Sequence, residues 1–448
     1  MCTALCYAKI KIIECMAKQK PTKPQSPKKN IPWLPILGGV AILGIGGYYL
    51  SQGASDKDAV TSEEVQKHNL SSVKALKVFV ENSGSMDGYV APVNSQLKSD
   101  MNALVSGMSI IKNPASSAPL VDTIELNYIN SDILPIKSSV SHFFQNLSVA
   151  SFQSRGGSRI STSLEDLIDR VEQETHEGEV AILVSDMILG LTSGQSAESV
   201  STNIETTLRR YMMKRPEWAI VVWRMLSDFQ GKYYEKGRVV PLTAKRPYYI
   251  IMMGDRSQLY GLLAKGQLAD NQPFFKNRTH QMTLEQAIPT PKYSISPNAV
   301  WGSISLDRSD KYVIKNAETG RTPSGEQALA FELKMQIPET LQDESRLLDA
   351  ESYQVTPSSY KLSRVRQGKD GAIYLRLESS AIVLGDIEVS LKQAMPKWIA
   401  AVHAEENADI LNPNNLSRTY GIKYILEGLQ RPYESEAASL FTLKVTLK

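Results

Sequence analysis

Five residues of this chain carry chemistry at suggestive positions: Glu81, Ser83, Ser85, Ser158 and Asp186. Two carboxylates and three hydroxyls are hard oxygen donors, a set that suits Mg²⁺, Mn²⁺ or Ca²⁺ better than zinc. The serines also invite a nucleophile reading. That reading needs G-x-S-x-G on a strand-to-helix turn, and the five residues from Gly84 to Gly88 carry Met86 at their centre. A triad needs a histidine as well, and the five present, at positions 68, 142, 176, 280 and 403, stand outside any motif. No H-E-x-x-H, P-loop or G-x-G-x-x-G occurs. Metal-dependent hydrolysis therefore ranks below binding, and the chain reads as a binding protein, not an enzyme.

The elements that must position these residues are visible as patterning. Ala75 to Val80 is a short apolar run of the kind a buried parallel strand shows, and it stops at Glu81-Asn82-Ser83-Gly84-Ser85-Met86-Asp87-Gly88. A helical spacing follows over 93–108, then a strand over Thr123 to Ile129. The glycine-led loop Gly156-Gly157-Ser158-Arg159-Ile160-Ser161 opens a helix carrying Leu164, Leu167, Ile168 and Val171. Val180 to Asp186 is an apolar strand ending in an acid. Strand-like runs at Trp218 to Leu226 and Tyr248 to Met253, with helical stretches near 197–214 and 256–265, extend the alternation. The expectation is a doubly wound α/β sheet, mostly parallel and Rossmann-like, over 73–266, with the five residues at the carboxyl ends of its strands, where ligands gather.

The order of three segments resembles the von Willebrand factor type A (vWA) domain and its metal-ion-dependent adhesion site. E-N-S-G-S-M (81–86) stands for D-x-S-x-S, G-G-S-R-I-S-T-S-L (156–164) for the later G-G-T loop, and A-I-L-V-S-D-M (181–187) for the strand that ends in Asp. The resemblance implies that Ser83 and Ser85 ligate a divalent ion through their hydroxyls, with Ser158 in place of Thr and Asp186 as the late acid. Glu81 replaces the first Asp. It further implies an open metal position filled by an acidic side chain of a partner protein. The competing reading is a structural subunit of an envelope complex with a vestigial site.

Net charge locates the chain. The 448 residues sum to +3, but 1–30 hold seven Lys against Glu14, or +6, which leaves −3 for the rest and no electrostatic case for nucleic acid as a partner. Cys2, Cys6 and Cys15 are all in that tail, so no disulfide or thiolate site is expected beyond it. Residues 31–50 contain no charge, five Gly and thirteen apolar residues, enough for one transmembrane helix. Lysines before the span and acids after it put 1–30 in the cytoplasm and the bulk outside it, in the periplasm of a bacterium. A cleaved signal peptide fits less well, because its apolar region is shorter. A polar linker is expected over 51–72, a connector over 267–325, and a β-rich, sandwich-like antiparallel domain over 326–448. Phe331 to Ile337, Ile373 to Glu378, Ile387 to Leu391 and Phe441 to Lys448 alternate there, with helix-like stretches at 395–405 and 420–429.

Overall fold

In the computed structural model, the strand that carries Glu81 is the centre of the first sheet. The structure describes residues 70–448 apart from 161–162, 236–237, 265–266, 269–271, 287 and 435–438. β1 (Val73–Glu81) pairs in parallel with β2 (Val121–Ile129) on one side and β4 (Glu179–Ser185) on the other. Leu76, Val78 and Val80 face one core, and Phe79 faces a second on the opposite side. The sheet has seven strands in the order β3-β2-β1-β4-β6-β5-β7, completed by β3 (Ile133–Ile136), β5 (Trp218–Glu235), β6 (Arg238–Asp255) and β7 (Arg278–Leu284).

The expected doubly wound, mostly parallel sheet is thereby corrected. The sheet is mixed: β2–β3, β4–β6, β5–β6 and β5–β7 are all antiparallel. The runs at 218–226 and 248–253 belong to the two arms of one hairpin, with no crossover helix between them. Their unbroken apolar character comes from burial on both faces, which says nothing about strand direction.

Helices cover both faces. On one side lie α1 (Asp87–Val90), α2 (Gln96–Ser109), α3 (Val140–Gln145) and α4 (Val149–Gln153); on the other lie α5 (Leu164–Glu174) and α6 (Ala197–Met212). Ser95, Ser139, Ser148, Ser163 and Ser196 each cap a helix by accepting from a backbone N–H, which accounts for part of the serine richness of this region.

The hairpin determines where a site can form. β5 and β6 pair along their full 18 residues, from Trp218 with Asp255 to Glu235 with Arg238. β4 accompanies β6 only from Tyr249 to Gly254. The remainder runs on as a two-stranded ribbon past the carboxyl ends of β1 and β4.

Between Tyr293 and Leu447, two five-stranded sheets share one core through residues such as Ile314, Phe331, Leu375, Val389 and Leu443. An all-antiparallel arrangement is corrected here too, since Ser439–Leu447 runs parallel to Val313–Glu318. Strands begin at Tyr293, inside the stretch read as a connector, and β7 of the first sheet lies there as well. Helix Ile422–Gln430 leaves these sheets and packs against α6, and Trp398–Val402 packs against that helix, placing Ile399, Ile425 and Leu429 in the second core of the first sheet. The described residues, 70 onward, fall into one compact unit. Among the described residues no helix is long and apolar enough to cross a membrane. The span expected at 31–50, the basic tail before it and most of the linker after it lie outside the described residues.

Candidate functional site

Glu81 is the last residue of β1 and Asp186 directly follows β4, the neighbouring parallel strand, so two acids meet at adjacent strand ends. Both are buried, at 5% and 4% exposure. Burial pushes the Glu81 carboxyl up to about 7; the Asp186 charge adds to this, and the Ser185 and Ser83 hydroxyls oppose it. Asp186 is also raised by burial, against the Ser85 hydroxyl, the Ile188 N–H and the charge of Arg246. Its Oδ1 accepts from Ile188 N–H at 3.2 Å, while its Oδ2 is buried with no hydrogen-bond partner. Ser83 and Ser85 sit at the turn leaving β1, their hydroxyls 3.1 Å apart.

Ser158 is elsewhere. It is exposed and does not line the cleft, and its backbone N–H donates to Ser131 Oγ at 2.7 Å. The loop before it is held by Gly157, whose φ of +80° and proximity to Asn130 Oδ1, 2.0 Å from where a Cβ would stand, exclude other residues. What this loop contributes to the cleft is Arg159, Ile160 and Ser163. Arg159 donates to the carbonyls of Asn82 (2.6 Å) and Ser83 (3.3 Å) and pairs with Asp87, while Gly84 N–H donates back to Arg159 O at 3.1 Å. The loop is thus bolted to the serine turn.

The cleft is about 900 Å³, and its other wall is the β5–β6 ribbon, through Lys232, Tyr234 and Glu235. The ribbon approaches the serine turn so closely that a Cβ on Gly231 would stand 2.5 Å from Gly88 Cα. A Cβ on Gly84 would be 3.1 Å from the Tyr234 hydroxyl. The C-terminal part of the chain buttresses the ribbon: Tyr233 O–H donates to Asn407 Oδ1 at 2.5 Å, and Asn407 Nδ2 donates to Tyr234 O at 3.3 Å. Arg246, 1% exposed, donates to the carbonyls of Leu416 (2.8 Å) and Arg418 (3.2 Å) and lies over the Tyr233 ring. It is the buried cation whose charge acts on Asp186.

The donor chemistry fits a hard divalent cation. Asp186 Oδ2 lacks a partner, burial raises the Glu81 carboxyl to about 7, and the 3.1 Å between the two serine hydroxyls is close to the roughly 3 Å edge of an octahedron with bonds of about 2.1 Å. Among the described residues no cluster of three or more His, Cys, Asp or Glu exists, so hydroxyls and water would complete the shell.

Sequence reasoning passed over Asp87, Arg159, Arg246 and the ribbon. Asp87 directly follows the first quoted motif and Arg159 lies inside the second, and the two pair with each other. The ribbon has a signal in the polar–apolar alternation either side of Lys236-Gly237, masked by Pro241 and Pro247. In comparisons with known proteins, no family model, no curated protein and no solved structure matches this chain.

Proposed function

We propose that this chain is a membrane-anchored, extracytoplasmic protein-binding module whose cleft takes a divalent cation, Mg²⁺ or else Mn²⁺ or Ca²⁺, and through it a carboxylate of a partner protein. The observation that carries the reading is the buried, unpartnered Asp186 Oδ2 beside Glu81 and two hydroxyls, at the base of a cleft open to solvent. Glu81, Asp186, Ser83 and Ser85 would hold the ion. When bound, the cation supplies an exchangeable coordination position at which an anionic side chain replaces water. Arg159 keeps the serine turn in place, and Arg246 offsets one of the two buried negative charges. Two of the three motifs resembling the vWA adhesion site, those carrying Glu81, Ser83 and Ser85 and Asp186, support the same assignment in a sheet of different pairing. The anchor at 31–50 and the cytoplasmic placement of 1–30 belong to the proposal and rest on charge and hydropathy.

Thermal unfolding of the full-length chain in EDTA and in Mg²⁺ tests the site. An ion bound only by the folded state stabilises it by about 2.7 kcal/mol at a hundredfold excess over Kd, a shift of several degrees. Asp186→Ala abolishes the increment. An identical melting temperature in EDTA and in each of the three cations would discard metal-assisted binding. Protease added outside spheroplasts checks the topology: failure to digest the region beyond 51 contradicts it.

The position of Ser158 outside the cleft, with Arg246 already beside Asp186, favours a second reading: a structural subunit of an envelope complex whose site holds no ion. Partner capture that is equal in EDTA and Mg²⁺ selects it.

A further inference from the structure

The cleft is far larger than an ion needs. Six waters at about 30 Å³ each occupy about 180 Å³ of roughly 900 Å³, so most of the volume is left for the partner. Three large exposed apolar side chains line it: Ile160 at 96% exposure, Tyr234 at 44% and Leu191 at 37%. Leu164 and Leu189, buried among the second core, line it as well. An isoleucine this exposed contributes little to folding, because it gains no burial within the chain. It gains burial when something covers it. The lining also holds Lys232, an exposed cation whose charge acts on Asp87 as well.

Resting on the reading of the site given above, we infer that the partner presents a short peptide segment in which the acidic residue is flanked by a large aliphatic or aromatic side chain. The acid meets the cation and Lys232, and the apolar side chain packs against Ile160, Leu164 and Leu191. Two independent features argue for this one occupant. Charge complementarity at the cation and Lys232 calls for an anion. The unfilled volume and the exposed Ile160 and Leu191 call for an apolar group beside it. A small free anion would answer the first and leave the second unsatisfied.

The test is selection of a random seven-residue displayed peptide library on immobilised full-length chain in Mg²⁺, followed by affinity measurement on synthetic copies of the enriched peptides. The expected sequences carry Asp or Glu with Leu, Ile, Phe or Met within two residues. Replacing the apolar residue by Ser should weaken binding roughly tenfold to a hundredfold. The Ile160→Ser/Leu191→Ser double variant should bind the parent and the Ser peptide alike; both positions are exposed, and an unchanged melting temperature confirms an intact fold. Enriched peptides without an apolar neighbour, an affinity indifferent to its removal, or no enrichment at all overturns the inference. Enriched acidic–apolar peptides that bind equally in EDTA leave the apolar contact standing and overturn the cation reading instead.

Discussion

Glu172 should make the stability of this protein fall as pH rises through neutrality, and Glu172→Gln should remove that part of the pH dependence. The residue lies on α5 at 1% exposure, and neither carboxyl oxygen has a hydrogen-bond partner. The nearby cations are committed elsewhere, Arg210 to Asp169 at 2.8 Å and Arg215 to Asp255 at 3.0 Å. Burial, reinforced by the Asp169 charge and weakly opposed by Arg210, pushes the Glu172 carboxyl up to about 8. The folded state therefore holds a proton that the unfolded chain releases near 4.5. With the folded value raised, the stability linked to this proton is complete below about 4.5 and declines by about 1.4 kcal/mol per pH unit until about pH 8. From pH 5 to 8 the difference between wild type and Glu172→Gln should change by about 4 kcal/mol, wild type losing ground. Urea unfolding at half-unit steps measures it. Glu81 and Asp100, the latter raised to about 6 by burial, are present in both proteins and cancel in the difference. Superimposable profiles for the two proteins from pH 5 to 8 would refute the reasoning, because Glu172 would then have to be solvated or paired in the folded state.

Other perturbations separate the supports of the cleft. Gly231→Ala drives a methyl to within 2.5 Å of Gly88 Cα and 2.9 Å of its nitrogen, backbone atoms that cannot turn aside; it should cost roughly 1–3 kcal/mol in urea unfolding. Arg246→Met removes the donor to two carbonyls and the cation near Asp186, for a loss on the order of 3 kcal/mol by the same measurement. Ser163→Ala deletes the cap on the Asp166 N–H at the start of α5 and should cost about 1 kcal/mol with the far-ultraviolet circular dichroism unchanged.

The positions of Glu81 and Asp186 were legible because each follows an apolar run long enough to be a buried strand, and the first polar residue after such a run marks where the strand leaves the core. Ser158, assigned to the site through the resemblance, lies outside the cleft. The path of its loop depends on Gly157 in the left-handed region and on the buried Asn130 side chain, which donates to Asn82 Oδ1 and Gly156 O; a motif records neither. Strand direction was illegible for a different reason. An apolar run reports that both faces are covered, and β5 and β6 are covered by helices exactly as parallel strands would be, so only the connection between them could have distinguished a hairpin from a crossover.

The same hairpin explains why the acids lie in a cleft and not on an open sheet edge. A sheet that stopped at Ser185 and Met225 would leave the turn at 81–88 facing water, where carboxylates are easily hydrated and keep their ordinary acidity. The ribbon beyond Leu226 supplies a wall, and Gly88 and Gly231 let the two backbones come close enough for that wall to press on the serine turn. Alone, a two-stranded ribbon is marginal in water. Here it is held on one side by Phe229 against Tyr89, with ring centroids 5.0 Å apart, and on the other by Asn407 and the carbonyls that Arg246 engages. Its C-terminal partners are thus part of the site's construction. A segment containing only 73–266 would lack β7, the helix at 422–430 and the loop at 407–418, and the ribbon that walls its two buried acids would lose its C-terminal support.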